Sequence, residues 1–294
     1  MDINNVAVIG AGTMGAGIAQ ICAQRGWNTR LFDTYESSLK NAIININTFW
    51  NKGVSLGKND KEQVNKWSNN LEIYTDISKA VFAADLVIEA VPEKMSLKKE
   101  IFLKLDKLTT AETLLATNTS SLSISEIANV TNNPGRVIGM HFFNPVPIMK
   151  LLEIIRHDKC TEKTIRAAES IGSELGKTTI LVNDFPGFAT SRLGVVLGNE
   201  AIRMLSEGVA SASDIDTAMM LGYKHPIGPL ELTDLVGLDV RRDILNNLAE
   251  SLADDSYLPH PLLNKLVNDG ELGSKTSMGI YDWSNGVKSD RNDL

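Results

Sequence analysis

Two side chains stand out as able to move a proton. His141 is one of only four histidines in 294 residues and closes the apolar run "VIGMH"; Glu153 sits alone in "LLEII" twelve positions later. An imidazole titrates close to neutral pH, so it can take a proton from an alcohol and give it back in the reverse direction. A carboxylate beside it would fix its tautomer and stabilise its protonated form. Between the two lies "NPVP", whose prolines restrict the backbone and cannot donate to a sheet ladder, so the segment predicts a turn. Residues 141 and 153 lie symmetrically about Pro147, and an antiparallel return of "IMKLLEII" would bring them together. Spacing alone leaves a core histidine beside an unrelated glutamate at least equally open.

A second constellation concerns phosphate. "GAGTMG" (Gly10, Ala11, Gly12, Thr13, Met14, Gly15) has the spacing G-x-G-x-x-G directly after the β-branched run "NVAVI" and at the head of a helical pattern. In that context Gly10 permits a tight turn, Gly12 lets the backbone approach a pyrophosphate, and Gly15 allows close helix packing. The helix N-terminus offers free N–H groups and a favourable dipole. Asp33 closes the next predicted strand, "NTRLFD", where an acid would bind a ribose 2′-hydroxyl. Its charge would repel a 2′-phosphate and no arginine follows closely, so the expected cofactor is NAD rather than NADP.

The elements that would position these residues alternate. Strands are predicted at "NVAVIG", "NTRLFD", "ADLVIEAVPE", "TLLAT", "RVIGMHFF", "MKLLEII" and "KTTILV", with helices between them, which argues for a mostly parallel, doubly wound α/β sheet over residues 1–183. One helix is expected from about Ser37 to Asn51, ended by the glycine-rich "KGVSLGK". "SISE" has the form of a capping box, with Ser123 as N-cap and Glu126 reaching back. After "NDFPGF" only helical patterns follow, so residues 184–294 are expected to form an all-helical domain ending in a loose polar tail, "NGVKSDRNDL".

Composition narrows the class. Hydrophobic content is 43%, charged content 22% and net charge −7, ordinary for a globular protein and unfavourable for gripping nucleic acid or anionic membrane. Cys22 and Cys160 give neither a disulfide framework nor metal-ligand spacing, and are expected as buried, reduced thiols. No signal segment and no bilayer-length apolar run is present, so a cytoplasmic protein is expected.

Taken with "NTSSLSI", "HFFNPVPIMKLLEII", "VIEAVPE", "DFPGF", "GYKHPIGPLELTDLVGLD" and "LGSKTSMGIYDW", the fingerprint makes the chain resemble the L-3-hydroxyacyl-CoA dehydrogenase family, most closely its bacterial short-chain 3-hydroxybutyryl-CoA branch, over nearly its whole length. The resemblance implies an N-terminal NAD-binding Rossmann domain and a helical C-terminal domain that serves the substrate cleft and a homodimer interface. It implies oxidation of an acyl-CoA 3-hydroxyl to the ketone, with His141 as acid/base and Glu153 as its partner. L-gulonate 3-dehydrogenase and 3-hydroxyadipyl-CoA dehydrogenase share the pattern and remain as alternatives.

The resemblance also assigns residues whose own patterns are bland. Ser120 lies in what reads as a loop before a helix, and Asn144 is an ordinary turn former. The resemblance implies that Ser120 bonds the substrate oxygen and that Asn144 meets the nicotinamide end of NAD. Glu93 and Lys98 read as a solvated helix start and are implied to contact NAD, as is Lys275. Where many relatives carry an asparagine before the arginine after "DFPGF", this chain has Ser191, a shorter group with one donor and two lone pairs. Lys52 and Lys58 are candidates for CoA phosphates, with solvated surface lysines equally open.

Overall fold

The structure is a computed structural model and describes residues 2–291 and 293–294. It divides into two compact units, Met1–Phe185 and Pro186–Leu294.

The first unit is built, in chain order, from β1 (Asn5–Ile9), α1 (Thr13–Arg25), β2 (Asn28–Phe32), α2 (Glu36–Ser55), α3 (Lys61–Asn69), β3 (Leu71–Tyr74), α4 (Ile77–Ala80), β4 (Leu86–Glu89) and α5 (Met95–Leu108). There follow β5 (Leu114–Thr117), α6 (Ile124–Ala128), β6 (Val137–Phe142), β7 (Leu151–Arg156), α7 (Glu162–Glu174) and β8 (Thr178–Asn183). The strands form one sheet in the order β3-β2-β1-β4-β5-β6-β7-β8. From β3 to β6 every pairing is parallel, giving the doubly wound sheet that alternating elements predict. Every residue of β4, β5 and β6 is buried, as expected of strands covered by helices on both faces. Strand β7 then runs antiparallel to β6, and β8 pairs with β7 in parallel.

Three local departures have physical causes. Strand β3, "LEIY", is an edge strand of four residues with no fully buried residue, too short and too exposed for its pattern to announce a strand. Helix α2 does not stop at the glycines but runs through Gly53 to Ser55; a Cβ at Gly53 would lie 2.1 Å from Asn59 Nδ2, so this glycine admits a returning side chain rather than breaking the helix. At α6, Ser123 accepts from the Glu126 N–H as an N-cap should, but the Glu126 carboxylate pairs with Lys99 Nζ at 2.7 Å instead of closing the box.

The second unit contains α8 (Thr190–Ser206), α9 (Ala212–Thr217) running into a π-helical turn at Ala218–Gly222, α10 (Pro229–Val236), α11 (Leu238–Leu252) and α12 (Pro261–Asn268). The helical run "PLELTDLVGLDVRRDILNNLAES" is two helices, because Gly237 takes φ +107°, a conformation other residues avoid.

Two buried carboxylates organise this unit. Asp216 accepts from the N–H groups of Leu230 (2.8 Å) and Glu231 (2.9 Å) and from Tyr281 Oη (2.7 Å), so it caps α10 from outside. Asp234 accepts from the N–H groups of Ile280 and Tyr281, each at 2.9 Å, and from Trp283 Nε1 at 2.8 Å. Burial raises the Asp234 pKa despite these three donors. The polar tail is correspondingly not loose: Asp282 and Ser289 form a bridge, Lys288 Nζ meets Glu231 at 2.5 Å, and Arg291 Nη1 meets Glu271 at 2.5 Å. Asn292 of that tail lies outside the described residues.

Asp234→Ala would strand three buried donors at once, and we expect it to cost about 2–4 kcal/mol. Urea unfolding followed by the fluorescence of Trp283 checks this; an unchanged midpoint would mean that Asp234 does not hold the closing segment.

Candidate active site

The sheet reverses its winding between β1 and β4, the place where open α/β sheets bind ligands. A cleft of about 660 Å³ opens there, lined by Gly10, Gly12, Thr13 and Met14, by Asp33 with Tyr35, and by the apolar Leu97 and Ile101 of α5. The three glycines do separate things. Gly10 has φ +106°, and a Cβ on it would lie 2.7 Å from the Ala90 carbonyl oxygen. A Cβ on Gly15 would lie 1.7 Å from the Gly10 oxygen, whereas one on Gly12 would meet nothing within 4 Å. Gly12 therefore faces open space into which a ligand can come close.

The donors at this end are set by the helix. The Ala16 N–H bonds the Gly12 oxygen at 2.9 Å, so the N–H groups of Thr13, Met14 and Gly15 precede the helical ladder and have no intrahelical acceptor. The Asp33 carboxylate accepts from Ala11 N (2.8 Å) and Tyr35 N (2.9 Å), which pins it at the end of β2. Ala11 thus donates to Asp33 and contributes its backbone rather than a free N–H. An open face over Gly12, unsatisfied helix N–H groups and a fixed carboxylate 21 residues further on together fit a dinucleotide with a free ribose hydroxyl.

Glu93 and Lys98 come together next to this cleft. Lys98 is 1% exposed, so the solvated helix start does not describe it. Its Nζ lies 2.7 Å from Glu89 Oε1 and 3.3 Å from Glu93 Oε2. Glu89, fully buried, also accepts from Val91 N and Thr117 Oγ1, each at 2.7 Å. Desolvation still holds the Glu89 carboxyl above its ordinary range, against the pull of Lys98. Glu93 is shifted the other way: burial opposes ionisation, but the Lys98 charge and the Thr119 and Ser120 donors prevail and lower its pKa. Its Oε1 accepts from Thr119 Oγ1 (2.5 Å), Ser120 N (2.9 Å) and Ser120 Oγ (3.2 Å). The acid is therefore the clasp that holds the loop carrying Ser120.

His141 and Glu153 lie further along the sheet. Register places His141 directly opposite Glu153, in the order Gly139↔Ile155, Met140↔Ile154, His141↔Glu153, Phe142↔Leu152. His141 Nδ1 is 2.8 Å from Glu153 Oε2. Glu153 is wholly buried and His141 is 7% exposed. A buried carboxylate needs donors, and an imidazole with its proton on Nδ1 supplies one to Glu153. Phe143 stacks obliquely on the imidazole, centroids 4.5 Å apart. Asn118 Oδ1, at the end of β5, accepts from Phe142 N at 2.9 Å and steadies the strand end behind the histidine.

The other expected residues are placed as follows. Asn144 is exposed in the turn after β6. Lys52 is exposed in the last turn of α2 and Lys58 in the loop that follows. Ser191 is half-buried in the first turn of α8, in the second unit. Lys275, in the same unit, pairs with Asp239 at 2.5 Å, and that contact helps lower the aspartate pKa against its partial burial. Reading the sequence missed Glu89, Thr117, Asn118 and Thr119. Their signal was available: a lone acid inside the buried run "LVIEA" requires partners as surely as Glu153 does.

Fold and cleft together define an NAD-dependent dehydrogenase. Residues 5–185 match the family model described as "3-hydroxyacyl-CoA dehydrogenase, NAD binding domain", and residues 187–283 match its "C-terminal domain". The chain is 43% identical to the probable 3-hydroxybutyryl-CoA dehydrogenase of Bacillus subtilis, covering 96% of this chain and 98% of the relative. It is 41% identical to the 3-hydroxybutyryl-CoA dehydrogenase of Clostridioides difficile, covering 95% and 99%. The crystal structure of (S)-3-hydroxybutyryl-CoA dehydrogenase from Ralstonia eutropha superposes with a TM-score of 0.92 at 38% identity, over 96% of this chain and 99% of that one. The chain belongs to the 3-hydroxyacyl-CoA dehydrogenase family and is an NAD-dependent oxidoreductase of that class. Among the described residues, no helix is long and apolar enough to cross a membrane.

The glycines offer a test with opposite signs. Gly12→Val should leave the melting temperature nearly unchanged and weaken NAD binding by about tenfold or more. Gly15→Ala should destabilise the fold by about 1–3 kcal/mol, because its Cβ collides with backbone. Calorimetric melting and NAD titration of both variants read the two effects; equal stability losses would refute the assignment.

Proposed function

We propose that the protein interconverts a short-chain (S)-3-hydroxyacyl-CoA, such as 3-hydroxybutyryl-CoA, and the 3-oxoacyl-CoA, with His141 as the acid/base. The observation that carries this reading is the buried His141–Glu153 contact of 2.8 Å on facing strands of an NAD-binding sheet. When bound, NAD supplies a hydride acceptor. The chain's own part is proton handling. Nε2 of His141 takes the hydroxyl proton as the hydride leaves the same carbon, and the imidazolium so formed is stabilised by Glu153 through Nδ1. In the reduction, Nε2 returns the proton to the carbonyl oxygen.

Around that step, the Ser120 hydroxyl would turn from its long 3.2 Å bond to Glu93 and donate to the substrate oxygen, while the Glu93 clasp on the Ser120 N–H holds the loop. Gly10 to Gly15 and Asp33 would hold the adenosine and pyrophosphate. Asn144 would meet the nicotinamide end, and Glu93, Lys98 and Lys275 would fix the cofactor loop, Lys98 through Glu93 because its ammonium is buried. Ser191 stands in place of the asparagine as a further donor, and Lys52 with Lys58 would meet CoA phosphates. The setting we propose is cytoplasmic, where Cys22 and Cys160 stay reduced; Cys22 is buried as expected, whereas Cys160 is only half-buried, and its desolvation still pushes the thiol up to about 11. A homodimer is supported by exposed apolar side chains at helical spacing, Leu232, Leu235 and Val236 on α10, joined by Leu193 and Val240. Light scattering during gel filtration reads its mass; a monomer at micromolar concentration refutes it.

Purified protein should oxidise NADH with acetoacetyl-CoA and not with free acetoacetate. Silence with every acyl-CoA, together with NAD reduction by gulonate, would overturn the acyl-CoA reading. His141→Ala should abolish turnover while NAD titrates as in the wild type, and Glu153→Gln should lower kcat by about 10²–10⁴-fold. Normal turnover by either variant would remove that residue from the mechanism.

A further inference from the structure

The turn between β6 and β7 is gripped from outside by one lysine. Lys177 Nζ donates to the Val146 carbonyl at 2.5 Å and to the Met149 carbonyl at 2.7 Å. Among the described residues no carboxylate pairs with this ammonium, and burial, helped by the neighbouring Lys150, lowers its pKa. A cation directed at two backbone oxygens holds the backbone rather than a counter-ion. Its own main chain is fixed. Gly176 takes φ +70° at the end of α7; its N–H bonds the Ser173 oxygen and the Lys177 N–H bonds the Gly172 oxygen, each at 2.9 Å. These are the paired bonds that close a helix on a glycine. Thr178 N, at the head of β8, then donates to the Lys150 oxygen at 2.7 Å.

A second element bears on the same turn. Val146 is buried, and a Cβ on Gly17 of α1 would lie 2.9 Å from Val146 Cβ and 3.8 Å from Pro147 Cδ. The nucleotide-binding helix therefore packs directly on the turn. Within it, the Pro145 oxygen accepts from Ile148 N at 2.9 Å and from Met149 N at 3.0 Å. The segment so held begins with Phe143, whose ring is tilted 47° to the His141 ring with centroids 4.5 Å apart. A ring packed at that distance resists rotation of the imidazole away from Glu153.

We propose that Lys177 is a positioning residue for the reaction: by clamping the Val146 and Met149 carbonyls it fixes the turn that keeps Phe143 against the His141 ring. It acts through Phe143 and not on the reacting atoms. The proposal rests on His141 being the acid/base, and it deepens that reading by naming what holds the imidazole from the side away from Glu153. A role confined to stability would make a variant of Lys177 melt earlier and leave the imidazole where it is.

The test reads the imidazole directly, in ¹H–¹³C correlation spectra of the full chain with His141 assigned by comparison with His141→Gln. The ring current of Phe143 marks the His141 ring protons, and Phe143→Leu shows where they fall without it. Lys177→Met, which keeps an apolar stem and loses the donors, should move these resonances toward their Phe143→Leu positions. Lys177→Arg, which offers several N–H donors, should leave them nearer the wild type. In step, kcat for NADH-dependent reduction of acetoacetyl-CoA should fall about tenfold to a hundredfold in Lys177→Met, with the NADH dissociation constant unchanged, and recover in part in Lys177→Arg. His141 resonances unmoved in Lys177→Met, or a wild-type kcat beside displaced resonances, overturns the proposal. Absence of turnover by the wild type would sink the acid/base reading, while the resonances, which need no substrate, would still report the clamp. Should Lys177→Met fail to fold, Lys177→Gln, shorter and uncharged, takes its place: displaced resonances support the clamp and unmoved ones contradict it.

Discussion

The contact between His141 Nδ1 and Glu153 Oε2, 2.8 Å long and shut away from water, is the constraint around which the sheet is arranged. A carboxylate with no exposure, in a strand flanked by neighbours on both sides, is unfavourable unless a donor faces it. The donor has to come from the adjoining strand at the same level, which fixes the register of β6 on β7 to the residue. A slip of one position would turn the imidazole to the opposite face, away from the acid. Reversal of direction after β6 is thus tied to this pair. A parallel strand would need a long crossover, whereas the proline turn returns the chain within eight residues, from Phe143 to Lys150.

The same logic recurs where the nucleotide binds. Glu89 at the end of β4 is buried, and Lys98 answers it from α5 while also reaching Glu93. Glu93 in turn gathers the N–H of Ser120 and the hydroxyls of Thr119 and Ser120. One chain of charge-assisted bonds therefore runs from the floor of the cofactor cleft to the loop after β5. Asn118, just after β5, holds Phe142 at the end of the strand that carries His141. Loop and cofactor cleft are thus joined by one set of bonds, and a change at Lys98 would be felt at Ser120 without touching any ligand.

Much of this was legible in the sequence where a residue type has a single physical use. Gly10, Gly12 and Gly15 announce their spacing, Asp33 its place, and the symmetry of residues 141 and 153 about Pro147 gives the pairing that the register shows. What escaped are features whose cause is a distant partner. Lys98 reads as a surface lysine until Glu89 is known to lie behind it. Gly53 reads as a helix breaker until Asn59 folds back against it, and the tail reads as loose until Glu231 and Glu271 hold it. Strand β3 has no buried face to advertise. Arg241 is the converse case, a residue that looks like ordinary helix surface in "DVRRDIL" and becomes conspicuous only when its burial is known.

The claim on which the rest depends is that Glu153 sets the protonation of His141. The measurement that tests it most directly is the long-range ¹H–¹⁵N correlation spectrum of the neutral imidazole, with His141 assigned by comparison with His141→Gln. The account predicts the proton on Nδ1 and a bare Nε2 in the wild type, with that tautomer losing its dominance in Glu153→Gln. A neutral His141 carrying its proton on Nε2 in the wild type would contradict it, since the nitrogen meant to receive the substrate proton would already be occupied.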